Sequence, residues 1–223
     1  MAEAFRNIVF LILPWIILLP LSLSLMGFRR HPAPLKIIAV YLIVSTITQL
    51  VSLTCWLQKI NNLPLLHAFT LTEYFLLLRF YQLLLPHSWS IWKLMVFLFA
   101  MPAFLLFDSI WLEGWFHFNV YGRSLEAIAF IWLSLFWFVQ QALANKPILQ
   151  TFSSAIHVIN SGFLIYFSGS LLLFSFRNII SQTTLSWRLN IWTLHSLLAA
   201  VLYGFIAIGL WKYWLQQKSI SAS

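Results

Sequence analysis

Residues 37–56 read IIAVYLIVSTITQLVSLTCW, a run from Ile37 to Trp56 without one charged side chain. At 1.5 Å of rise per residue, a helix of about 20 residues spans the roughly 30 Å hydrocarbon core of a bilayer. Unpaired backbone groups are prohibitively costly in lipid, and the near-continuous apolarity lacks the alternation of a membrane barrel, so the run predicts a transmembrane helix. Six further runs of similar length and character follow the same reading: Ile8 to Met26, Pro64 to Leu85, Leu94 to Leu112, Ser124 to Asn145, Ala155 to Phe176 and Ile191 to Leu215. Seven such spans use about 140 residues, which leaves only short loops and tails. The expectation is therefore an all-α polytopic membrane protein, a seven-transmembrane-helix bundle forming a single integral membrane domain over residues 1–223.

Composition points the same way. Of 223 residues, 61% are hydrophobic and only 8% are charged, with a mean hydropathy of +0.88. A soluble domain carries about a quarter of its residues as charges, so soluble, disordered and disulfide-rich classes are excluded together. The net charge of +8 does not indicate nucleic acid. Its cations are spread singly, as expected for loops retained on the cytoplasmic side. A single cysteine, Cys55, excludes an intrachain disulfide and a cysteine-based zinc site.

Punctuation falls between the runs at Gly27 to Pro32, Asn61 to Pro64, Pro86-His87 and Lys146-Pro147. The first run is read as a helix and not a signal peptide, because its apolar core is long and no A-x-A site follows. With the N-terminus outside, the inner loops hold Arg29, Arg30, Lys36, Lys93, Lys146, Lys212 and Lys218. The outer side holds Arg6, Lys59, Arg123, Arg177 and Arg188, so the cation bias favours an external N-terminus and a cytoplasmic C-terminus. Many of the 12 tryptophans lie near run ends, as Trp56, Trp111, Trp211 and Trp214 do, where they suit the membrane interface. Ala200 with Gly204, and Gly162 with Gly169, read as close helix contacts.

Polar groups inside apolar spans carry the functional information, since each is costly unless paired. Glu73 leads. A lone carboxylate within a span must be protonated or partnered, and if it faces the interior without a cation, Glu73→Gln should fold well. Span parity places all five acids, Glu3, Glu73, Asp108, Glu113 and Glu126, on one membrane side, together with His67, His117, Arg123 and His195. This predicts a polar pocket in the extracytoplasmic half, lined mainly by helices three, five and seven. Its ligand-pocket candidates are His67, Thr70, Glu73, Arg123, Glu126, Trp192 and His195. Simpler readings stand beside it: Arg123 and Glu126 have the spacing of a same-face ion pair, and acids at run ends are cheap. No cofactor is predicted. His67, Glu73 and His195 could form a zinc site or proton relay only if assembled between helices, because no H-E-x-x-H spacing is present. A haem clamped by His67 and His195 ranks below zinc. His157 and Asn160 read as hydrogen-bonding contacts to neighbouring helices.

Known seven-helix classes can be tested by what they require. A retinal protein needs a mid-span lysine in its last helix, whereas Lys212 lies near that span's inner end. Ceramidase-like hydrolases and progestin-type receptors carry H-x-x-x-H there, and His195 lacks that companion. Three stretches carry a resemblance: Asn61 to Tyr74 (NNLPLLHAFTLTEY), Asn160 to Ser170 (NSGFLIYFSGS) and Trp192 to Ser196 (WTLHS). Through them the chain resembles a group of uncharacterised small seven-helix proteins of Bacteroidota-type bacteria. The resemblance covers helices three, six and seven, and implies a seven-helix fold in an inner membrane without implying a mechanism.

Two function classes follow. The first is a sensing or binding module whose outer pocket engages a small molecule or membrane lipid and whose basic inner loops contact a cytoplasmic signalling partner. The alternative is a membrane-embedded lipid-modifying enzyme with Glu73 as general base and His67 or His195 as metal ligand or acid. A transporter would show inverted repeats or paired broken helices, and neither is visible. For a shared pocket, His67, Glu73 and His195 should behave as one unit when substituted.

Overall fold

Proline and glycine set several helix boundaries. A proline in the first helical turn loses no hydrogen bond, since its missing N–H would be unpaired there. Pro34, Pro64 and Pro102 each occupy that turn of their helices. The computed structural model describes residues 13–85, 99–112, 114–143, 150–175 and 185–221. Among these residues every regular element is helical. A 3-10 turn, Leu13–Ile17, leads into α1, Leu18–Leu25, and a second, Phe28–Arg30, precedes α2, Ala33–Leu57. Then come α3, Leu63–Leu84, and α4, Met101–Phe107, which runs on into a π-helical stretch, Asp108–Leu112. The remaining helices are α5, Val120–Leu143, α6, Gln150–Ser175, and α7, Leu185–Ser221.

The ends of α1 and α2 show two routes to the same closure. Gly27, just past α1, takes φ 83°, the left-handed region that glycine enters without strain. Past α2 the corresponding residue is Lys59, at φ 58°. Its N–H bonds Trp56 O at 3.1 Å and that of Ile60 bonds Cys55 O at 2.8 Å, the paired bonds that close a helix C-terminus. Asn61 Oδ1 then accepts the Leu63 N–H at 2.9 Å, opening α3 within three residues of that stop.

Four helical segments are long and apolar enough to cross a membrane: Ala33–Leu57, Val120–Leu143, Ser154–Ser175 and Thr193–Lys218. They coincide with the second, fifth, sixth and seventh runs of the sequence. The third run is also a helix, α3, of 22 residues. Its load of His67, Thr70, Glu73, Arg79 and Gln82 makes it less apolar than the four. The fourth run departs from expectation: its described part is the seven-residue α4 followed by wider π turns, not one regular helix. Residues 1–12, 86–98, 113, 144–149, 176–184 and 222–223 lie outside the described residues, among them Glu3, Arg6, Pro86-His87, Lys93, Glu113, Lys146-Pro147 and Arg177.

The interior is mainly apolar, but the outer surface is unlike that of a water-soluble protein. Trp56, Leu57, Trp111 and Leu172 are each more than 60% exposed, while Glu73, Asp108, Glu126 and Asn160 are at most 1% exposed. Large apolar faces turned outward around buried polar groups are stable when the surroundings are lipid and unstable in water. The helices are thus those of a multi-pass membrane protein in composition and in side-chain placement.

The chain forms two compact units, one of Met1–Met26 with Ala127–Ser223 and one of Gly27–Glu126. In the first, α6 and α7 pack most extensively, with α1 and its preceding turn also against α7. Three glycines permit the close approach of α6 and α7. A Cβ on Gly162 would lie 2.6 Å from Phe205 Cβ, one on Gly169 2.7 Å from Leu198, and one on Gly209 2.9 Å from the Ala155 carbonyl oxygen. Gly162 and Gly169 thus act as the sequence indicated. Gly204 does not, because nothing lies within 4 Å of its virtual Cβ, and the contact expected for Ala200 with Gly204 belongs to Gly209 instead. Gly209→Ala is expected to destabilise the protein by about 1 to 3 kcal/mol through overpacking, and Gly204→Ala by less than about 0.5 kcal/mol. Denaturation midpoints in detergent check the contrast, and equal midpoints would contradict it.

Neutral hydrogen bonds join α5 to α6 in this unit. Asn160 Nδ2 donates to Ser134 O at 3.2 Å and Ser134 Oγ donates to Asn160 O at 3.4 Å, both fully buried. His157 lies edge-on to Trp137 at 4.7 Å between ring centroids. Asn160 thus makes the interhelical hydrogen bonds expected of it, whereas the contact shown for His157 is between rings. In the second unit, α2 packs against α3 and α4 touches α3.

Candidate functional site

The polar side chains of α3 step along its buried side at intervals of three, His67, Thr70 and Glu73, each about 1% exposed. Thr70 turns its hydroxyl to Leu66 O at 2.9 Å and so spends it within its own helix. Glu73 and His67 reach other elements, and two polar clusters in the Gly27–Glu126 unit result.

The first cluster is ionic. Arg123, in the first turns of α5, donates through Nη1 to Glu73 Oε2 at 2.5 Å and to Glu126 Oε2 at 3.1 Å. Tyr41, from α2, donates its phenolic hydrogen to Glu73 Oε1 at 3.2 Å. The guanidinium also lies over the Phe69 ring, 5.5 Å from its centroid, which adds a cation–π contact. Glu73 is therefore no lone carboxylate, and the condition attached to its replacement by glutamine is not met. The predicted same-face pair of Arg123 and Glu126 forms, and Glu73 shares its cation. Two carboxyl groups thus share one guanidinium, and with both ionised the cluster would carry one negative charge that this guanidinium does not balance.

The second cluster holds the segment before α5 against α3. His67 Nε2 lies 2.9 Å from the His117 carbonyl oxygen and Nδ1 lies 2.8 Å from Ser109 Oγ. The Trp115 ring stands 5.6 Å from the imidazole, and Asn61 Nδ2 donates to Phe116 O at 3.4 Å. Asp108, in the π stretch, accepts the Gly122 N–H through Oδ2 at 3.1 Å. The carboxylate thereby takes one of the open N–H groups at the start of α5, where the helix dipole favours an anion. A Cβ on Gly122 would lie 2.1 Å from Asn119 Oδ1, so glycine makes room for that buried amide. The place of Asp108 at a run end suggests a cheap, solvated acid. At 0% exposure it is instead a buried cap on a neighbouring helix.

The structure thus joins Glu73, Arg123 and Glu126 directly and sets His67 and Thr70 on the same helix. His195 lies in the other unit, its ring 5.8 Å from Tyr166 and 5.7 Å from Phe174. Trp192 lies in α7, but its side chain is outside the described residues. Sequence reasoning missed Tyr41 and Ser109. For Tyr41 a signal existed, because a phenol in mid-span needs a hydrogen-bond partner. Among the described residues no group of three or more His, Cys, Asp or Glu side chains is placed to hold a metal ion, so the zinc set of His67, Glu73 and His195 has no geometric support.

No family model, curated protein or solved structure matches the chain. What the site can do is read from its own geometry. The ionic cluster can bind a charged or hydrogen-bonding group, and the imidazole cluster fastens the 114–119 segment to α3.

Proposed function

We propose that the chain is a seven-helix integral protein of a bacterial inner membrane, with its N-terminus outside and its C-terminus in the cytoplasm. In this reading it is a receptor-like sensing or binding module. Its Glu73, Arg123 and Glu126 side chains engage a small molecule or a lipid headgroup, and its basic inner loops pass that occupancy to a cytoplasmic partner. The supporting observation is the half-buried cation shared by two buried carboxylates from two helices. Helices that only need holding together can use neutral bonds, as Ser134 and Asn160 do. Buried charges cost more than such bonds and add little stability over an apolar replacement. Their presence is best accounted for by a task.

Enzymatic action on lipid is less well supported. Both oxygens of Glu73 already accept hydrogen bonds and both nitrogens of His67 face partners, which leaves neither poised as a base or metal ligand. Two experiments test the proposal. Reporter fusions after Lys218 and within Arg29 to Lys36 should both report cytoplasm, and a periplasmic C-terminus overturns the orientation. A ligand screen by thermal shift should yield compounds that stabilise the wild-type chain and fail on Glu73→Gln. Stabilisers indifferent to that substitution would bind elsewhere and remove the cluster from the function.

A further inference from the structure

Resting on the binding site proposed above, the geometry points to its ligand class: we infer that the Glu73, Arg123 and Glu126 cluster takes a primary ammonium group, the head of an amino lipid or of a free amphiphilic amine. Two deficits carry the inference. The first is charge, since one guanidinium faces two carboxylates that are both at most 1% exposed. The second is hydrogen bonding. Glu73 Oε1 accepts from Tyr41, and Glu73 Oε2 and Glu126 Oε2 accept from Arg123. Among the described residues nothing donates to Glu126 Oε1, although that oxygen is fully buried. A buried acceptor without a donor is costly and calls for one.

A proton on Glu126 would balance the charge but would not close the second deficit. The new O–H would itself need an acceptor, so one unpaired buried atom would replace another. A primary ammonium supplies one positive charge together with three N–H donors. A quaternary ammonium supplies the charge and no donor, so the two headgroups separate the two deficits. Arg123 keeps 14% of its side chain exposed, and a headgroup arriving along that guanidinium would meet the carboxylates behind it.

The test uses the full chain in nanodiscs of phosphatidylglycerol, read by its Tm. Part of the lipid is replaced by phosphatidylethanolamine in one sample and by phosphatidylcholine in another, and a long-chain primary alkylamine is added to a third. Phosphatidylethanolamine, the alkylamine or both should raise Tm by about 3 to 6 °C, the shift expected near ten times Kd for a protein of this size. Which of them acts distinguishes a membrane lipid from a free amine. Phosphatidylcholine should give no rise. Glu126→Gln leaves one carboxylate per guanidinium and should fold, yet lose the rise; if it does not accumulate, Glu73→Gln serves in its place. A rise with phosphatidylcholine equal to that with phosphatidylethanolamine, or one retained by the glutamine variants, overturns the ammonium assignment. Stabilisation by anionic or neutral compounds that depends on Glu126 also overturns it while leaving the binding site standing. If no compound of any charge acts through the cluster, both readings fall.

Discussion

Arg123→Gln is expected to destabilise the folded chain by about 3 to 5 kcal/mol, the cost of removing one partner from a buried ion pair. The expectation follows from the asymmetry of the cluster. Glu73 and Glu126 are at most 1% exposed, and Arg123 donates to both. Without the guanidinium, two buried carboxyl groups remain, and among the described residues the side-chain donor left to them is the Tyr41 hydroxyl on Glu73. Glu73→Gln runs the other way. It leaves Arg123 against Glu126 alone, a balanced pair, but its single amide oxygen must replace two carboxylate oxygens that accepted from Tyr41 and Arg123, so its expected cost is about 1 to 3 kcal/mol, below that of Arg123→Gln. Folding of the Glu73→Gln protein was also the outcome expected for a lone carboxylate, but here charge balance within a network supplies the reason. The triple variant with Arg123, Glu73 and Glu126 all replaced by glutamine should recover much of the loss from Arg123→Gln. Denaturant midpoints of the purified variants decide it. An Arg123→Gln protein as stable as wild type would show that the carboxylates do not depend on the guanidinium.

His67→Ala is the second large effect, expected at about 2 to 4 kcal/mol because it empties the buried space of the ring and removes its contacts with the Ser109 hydroxyl and the His117 carbonyl. Nε2 faces a carbonyl oxygen, which can only accept, so that nitrogen carries a hydrogen. Ser109 Oγ lies 2.8 Å from His67 Nδ1 and 2.8 Å from Leu105 O, with one hydrogen to give. His67→Gln can preserve the donor to His117 O and should recover part of the loss. The same substitution should release the 114–119 segment, so proteolytic cleavage near Trp115 ought to become faster in His67→Ala than in His67→Gln. Equal cleavage in wild type and both variants would mean that His67 does not hold the segment.

Much of this molecule is legible without coordinates. The runs at 37–56, 64–85, 124–145 and 155–176 became helices whose ends moved by only a few residues, because chain length in lipid, proline in first turns and the cost of unpaired backbone are all local matters. The pairing of Arg123 with Glu126 is local too, since a spacing of three places both on one face of α5. Long-range matters were not legible. That Glu73 reaches the same guanidinium, that Tyr41 closes on it from α2, and that Asp108 caps α5 depend on how helices dock within the Gly27–Glu126 unit. Likewise, spacing singles out Gly204 beside Ala200, and only the rotation of α7 against α6 selects Gly209 for the contact. Local sequence thus suffices for most of the helical segments, the fourth run excepted, and for naming the side chains too polar to face lipid. Tertiary structure alone decided which of those side chains meet, because hydrogen-bond and ion-pair geometry is set by the rotation and depth of one helix against another, and no periodicity within a single segment encodes either.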